Sequence, residues 1–126
     1  MMEAIARLYA SCRCACDGLK FAAHSQRNLR IHLVAAAIVL AAGFLLHFSR
    51  IEMVLLVVTV TLVITAELLN TSLELTWNLL EARNHPSARA AKDVAAGAVL
   101  LATFGSVGVG ILLFGPRLLG FLKCHP

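Results

Sequence analysis

Residues 51–82 read IEMVLLVVTVTLVITAELLNTSLELTWNLLEA, and this stretch decides the architecture. Met53 to Ala66 carry no charge; Glu67, Asn70, Glu74, Asn78 and Glu81 then follow with no glycine or proline between them. At three- and four-residue spacing these five share one face of a helix. A helix of about 32 residues is ~48 Å long, against ~30 Å of hydrocarbon in a bilayer. Its last turns must therefore leave the membrane and carry the polar stripe into the interface. Carboxylates at the edge of a span are costly unless they are used. A pair nearly two turns apart, Glu67 and Glu74, can hold a hard cation such as Mg²⁺. The alternative is a helix end with a solvated polar face.

The flanking sequence extends the membrane reading. The chain of 126 residues is 60% hydrophobic and 14% charged, with mean hydropathy +0.83. A soluble domain averages about 25% charged residues, so the class is an all-α membrane protein. Residues 31–49 and 94–116 are free of formal charge, each long enough to span. Three spans place the termini on opposite sides. Arg7, Arg13, Lys20, Arg27 and Arg30 precede the first span, and Arg83, Arg89 and Lys92 follow the second. Only Arg50, Arg117 and Lys123 lie on the other side. This asymmetry puts the N-terminus and the second loop in the cytoplasm. The net charge of +4 is thus a topology and lipid-surface signal and requires no nucleic-acid partner.

The expected organisation is a single membrane domain over residues 1–126. Residues 1–29 form an amphipathic surface helix, in which Ile5, Leu8, Leu19 and Phe21 mix with Arg7, Arg13 and Lys20 and Gly18 is a candidate break. No apolar core of a secretory signal precedes the first span. The spans are 31–48, 51–70 and 94–114, with a tight turn over His47 to Arg50. Pro86 ends the long helix, Ser87 caps the next, and the tail from Gly115-Pro116 onward is loosely ordered. Small residues such as Ala35, Ala36, Gly43, Gly97 and Gly105 allow close helix contact in lipid and favour a homo-oligomer.

The candidate chemistry gathers at the cytoplasmic edge. Glu67, beside apolar residues at membrane depth, suits a general base. Glu74, a turn or two nearer water, is better placed for a divalent ion, and Asn70 can orient or coordinate without adding charge. The short second loop returns Lys92-Asp93 toward Glu74 and Asn78. A lysine facing a carboxylate and a metal is the equipment of phosphoryl transfer, whose transition state spreads charge over phosphate oxygens. The plainer reading of Lys92-Asp93 is a charge pair in a first helical turn. There is no phosphate-binding G-x-x-x-x-G-K-[ST] loop and no kinase-type glycine loop.

The segment Ala66-Glu67-Leu68-Leu69-Asn70-Thr71-Ser72-Leu73-Glu74, followed by Ala90-Ala91-Lys92-Asp93-Val94-Ala95-Ala96-Gly97-Ala98-Val99-Leu100, resembles the signature of the prokaryotic diacylglycerol kinase family, which includes undecaprenol kinases. The order of elements fits along nearly the whole chain. The resemblance implies a homotrimeric lipid kinase of the bacterial inner membrane, with sites shared between subunits and facing the cytoplasm. It uses ATP and Mg²⁺, and its most direct reaction is diacylglycerol to phosphatidic acid. By the same resemblance Glu67 is the general base and Glu74 holds the magnesium. Asn70, Lys92 and Asp93 hold ATP or tune the base. Arg83, Asn84 and His85 line the nucleotide, and Arg7 lies near nucleotide or lipid headgroup.

Two positions depart from the family pattern. Gln26 stands where a metal-binding glutamate is usual and offers one neutral oxygen; Asn78 replaces a common aspartate. These losses of charge keep open a catalytically weak subunit or a cation carrier using Glu67 and Glu74. Arg27-Asn28-Leu29-Arg30-Ile31-His32 has the form seen in undecaprenol-kinase-like members. Arg27 and Arg30 also serve as positive-inside anchors. Cys12, Cys14 and Cys16 form C-x-C-x-C, but only Cys12 and Cys16 share a helical face, so they read as interfacial thiols on the reducing side. His24, His47 and His125 make no ligand spacing.

Overall fold

The computed structural model describes residues 1–80 and 86–124, with side chains described to residue 120. Four helices follow one another: α1 (Met2–Ser25), α2 (Arg27–Leu45), α3 (Arg50–Leu80) and α4 (Pro86–Cys124). The last three are long and apolar enough to cross a membrane. α3 is rich in β-branched residues from Val57 to Thr65, which in water would favour a strand. In hydrocarbon every backbone polar group must be satisfied within the segment, so helix wins. Hydroxyls follow the same rule: Thr59 donates to the Leu55 carbonyl at 2.7 Å, and Ser106 to that of Thr103 at 2.8 Å.

Gly18 does not interrupt α1, because one helical glycine costs only about 1 kcal/mol. The break falls at Gln26, whose extended backbone (φ −104°, ψ 116°) separates α1 from α2. The Gln26 N–H still bonds the Ala22 carbonyl at 2.9 Å, and the Arg30 guanidinium reaches the His24 carbonyl at 2.9 Å. The joint is thus a single residue, pinned from both sides and flanked by buried Ala22 and Leu29.

α2 and α3 form a tight hairpin. His47 adopts φ 52°, the Phe48 N–H bonds the Gly43 carbonyl at 3.0 Å, and the His47 N–H bonds that of Phe44 at 3.1 Å. This is a Schellman ending, which needs one left-handed residue. Gly43 permits the close crossing, since a Cβ there would lie 3.0 Å from the Leu56 side chain and 3.2 Å from Phe48. Ser49 and Glu52 then make a reciprocal capping box: the Ser49 N–H donates to Glu52 Oε2 at 2.7 Å, and the Glu52 N–H reaches Ser49 Oγ at 3.4 Å.

Two expectations for α4 are corrected. Ser87 is not its cap: the helix begins at Pro86, whose fixed φ and missing N–H suit a first turn. Nor is the segment after Gly115 loose, because α4 runs through Pro116 to Cys124. Pro116 removes the backbone bond to the Leu112 carbonyl, yet the helix continues past it. Here the Arg117 guanidinium donates to the Leu113 carbonyl at 3.2 Å and to both Glu52 oxygens at 2.8 and 2.9 Å, and it stacks 4.3 Å from the Phe48 ring centroid. Phe48 in turn meets Phe114 at 4.8 Å between centroids. Sequence reading left Arg117 as a mere outside charge; it is the clasp joining α4 to the α2–α3 hairpin.

α3 packs against both α2 and α4 and forms the back of the bundle. Its buried seam is Leu56, Val63, Glu67, Asn70 and Thr71, apolar near the hairpin and polar toward the other end. α2 contributes Leu29, Ala36 and Gly43 at seven-residue spacing.

Candidate functional site

The stripe on α3 is graded rather than uniform. Glu67 is 3% exposed, Thr71 4% and Asn70 9%, whereas Glu74 is half-buried and Asn78 exposed. Glu67 therefore turns into the bundle at a depth where an idle carboxylate would be expensive. His32 of α2 meets it, with Nε2 3.1 Å from Glu67 Oε1. Sequence reading mentioned His32 only within the Arg27–His32 segment and gave it no role. A histidine inside an otherwise apolar span was the available signal.

Two cavities lie along the gap between α2 and α4, closed behind by α3. The one at the Glu67 end holds about 270 Å³ and is lined by Asn28, Ile31, His32, Glu67, Val99 and Thr103, among others. The next, about 240 Å³, is lined chiefly by small and branched apolar residues such as Ala36, Val39, Val63 and Gly110, and ends at Phe114. His32 borders both, so the His32–Glu67 pair sits where they meet. A polar pair at the head of an apolar trough suits a hydroxyl whose attached chain stays in lipid.

The remaining described candidates are spread over α1, the α1–α2 joint, α3 and α4. Lys92 is half-buried and heads the inward seam of α4 that continues through Ala95, Val99 and Ala102, whereas Asp93 is exposed. Among the described residues no ion pair joins the lysine to Glu74 or Glu67. Asn70 Oδ1 is buried and has no hydrogen-bond partner among the described residues. Gln26 is half-buried at the α1–α2 joint. Arg7 is exposed on α1, 3.5 Å from Glu3 one turn away. Arg83, Asn84 and His85 lie outside the described residues.

Among the described residues no three His, Cys, Asp or Glu side chains gather as a metal cage. Cys12, Cys14 and Cys16 are free and exposed on an unbroken helix, as expected of interfacial thiols. Glu74 and Gln26 nevertheless fit magnesium in kind. Both offer oxygen, and this ion is usually held by one or two carboxylates completed by substrate phosphates and water.

The comparisons with known proteins decide the family. The family model described as prokaryotic diacylglycerol kinase matches residues 13–114, which takes in every element of the site except Arg7. The chain belongs to this family. It is 41% identical over 101 residues to the undecaprenol kinase of Bacillus subtilis, covering 80% of this chain and 82% of that protein. It is 43% identical over 116 residues to a diacylglycerol kinase of Synechocystis, covering 91% of this chain and 66% of the relative. A diacylglycerol kinase of Haemophilus influenzae is 30% identical over 112 residues, covering 87% and 95%. The chain is therefore a membrane-embedded lipid kinase, a phosphotransferase that uses ATP.

Proposed function

We propose that this kinase converts diacylglycerol to phosphatidic acid with Glu67 as general base. The proton of the lipid's primary hydroxyl passes to a Glu67 oxygen while the hydroxyl oxygen bonds to the γ-phosphorus of ATP. The bond from that phosphorus to the β,γ-bridging oxygen breaks, and ADP leaves with the electron pair. The observation that carries this reading is the burial of Glu67 against a cavity that His32 links to a second, apolar one along the membrane-spanning helices.

Glu74 would hold Mg²⁺, with the neutral Gln26 as an auxiliary oxygen. When bound, the ion neutralises charge on the ATP phosphates. Lys92 supplies a cation to the transferring phosphoryl group. Asn70, whose buried oxygen lacks a partner, accepts a donor from substrate or Lys92. Asp93 and Arg7, with Arg83, Asn84 and His85, are assigned to the nucleotide side. The excess of Lys and Arg on that side supports a cytoplasm-facing site in the bacterial inner membrane. A homotrimer follows from the family resemblance, and the many apolar side chains left exposed on the single chain offer surface for contact between copies.

A second substrate, undecaprenol, is favoured by the similarity to the Bacillus subtilis protein and by the Arg27–His32 segment. One assay separates the two. Purified protein in mixed micelles receives γ-labelled ATP, magnesium and each lipid in turn. Labelled phosphatidic acid is the expected product. Label appearing only in undecaprenyl phosphate would transfer the assignment to the second substrate. Label in neither lipid would overturn both in favour of a subunit or cation carrier.

A further inference from the structure

We infer that His32 is the positioning residue for Glu67, holding one oxygen of the carboxylate so that the other faces the lipid hydroxyl. The inference rests on the reading of Glu67 as the base.

Three observations carry it. First, Nε2 of His32 lies 3.1 Å from Glu67 Oε1, and both side chains are largely buried, at 23% and 4% exposure. Second, among the described residues no other cation lies within ion-pair distance of Glu67. Third, His32 lines both cavities and Glu67 lines one of them, so the ring stands beside the space by which a hydroxyl would reach the acid.

A free carboxylate on a two-carbon stem rotates among several orientations, and only some of them present an oxygen to a substrate. A base acts only within hydrogen-bonding reach of the proton it takes. A ring N–H anchored to Oε1 removes that freedom and leaves Oε2 available. The anchor comes from α2, and the backbone under it is well fixed. Leu29, one turn earlier, is 2% exposed, and Ala36, one turn later, is buried against the bundle. The imidazole donates through Nε2 both as the neutral Nε2–H tautomer, which a carboxylate at that nitrogen selects, and as the imidazolium. The role therefore requires a donor of the right reach and no change of charge.

That requirement makes the test specific. Glutamine at position 32 keeps an N–H donor at similar reach, asparagine keeps the donor but falls short, and leucine removes it. Steady-state rates are measured with diacylglycerol or undecaprenol, whichever the enzyme accepts, and thermal unfolding is followed in the same detergent. His32→Leu should lower kcat about 10- to 100-fold, part of the roughly 10²–10⁴-fold contributed by a general base. KM for ATP should stay within about twofold, since nucleotide binding is not involved. His32→Gln should recover most of the lost rate, and His32→Asn should not. If His32→Leu fails to fold, the comparison of Gln with Asn decides alone. Equal rates for those two, or His32→Leu turning over at the wild-type rate, would overturn the role. Glu67→Gln is run in parallel. If that variant stays active, the base reading falls and this inference with it. If it is inactive while His32→Leu is unaffected, only the positioning role falls.

Discussion

Glu67 and Glu74 are chemically identical and seven residues apart, yet their surroundings separate their tasks. Glu67 is almost wholly enclosed; Glu74 is half-buried, with no ion pair among the described residues. The enclosed acid suits proton transfer, and the one nearer water suits a hydrated cation delivered with nucleotide. Glu74→Gln should raise the magnesium concentration for half-maximal activity by about tenfold or more, a change that needs only ~1.4 kcal/mol of lost binding. A magnesium titration of the variant checks this, and an unshifted curve would remove the metal role. The stripe itself was legible because carboxylates and amides recur on one helical face below a charge-free run. The partner of Glu67 was not, because it depends on the register between α2 and α3. No pattern within the segment around His32 reveals that register.

At the scale of elements, three apolar helices and the long middle helix could be read from charge-free runs; α3 begins at Arg50, within one residue of expectation, whereas α4 continues to Cys124, past the expected 114. What failed was local punctuation. Pro116 reads as a helix breaker in water, but α4 passes through it, and the guanidinium of the next residue ties that turn to α3. The capping box Ser49-Arg50-Ile51-Glu52 is visible in the sequence, whereas its junction with Arg117 joins residues 65 positions apart. Glu52 both caps α3 and binds Arg117, so Glu52→Ala should destabilise the protein more than Arg117→Ala does. The double variant should be less destabilised than the sum of the two. Unfolding curves of the three proteins in detergent give the answer; strict additivity would mean that the clasp contributes nothing as a pair. Since the clasp lies at the opposite end of the spans from Glu67, kcat should change little in any variant that folds.

Over the whole molecule, one substrate is soluble and the other cannot leave the bilayer. The fold answers by running α3 about 46 Å from its Arg50 end to its Leu80 end, longer than the ~30 Å of hydrocarbon, so that one helix presents both a deeply buried acid and one nearer its cytoplasmic end. In a trimer with shared sites, Glu67 and Glu74 need not come from the same chain. Mixing the inactive Glu67→Gln and Glu74→Gln proteins and letting subunits exchange should then restore part of the activity. No recovery in verified mixed oligomers would confine each site to one chain. The account as a whole stands on proton removal by Glu67. The most direct measurement is transfer of labelled γ-phosphate to lipid by Glu67→Gln, in protein shown by circular dichroism and thermal unfolding to keep its helices. The account predicts a loss of at least ~10²-fold, the lower bound for a general base; transfer at the wild-type rate would contradict it.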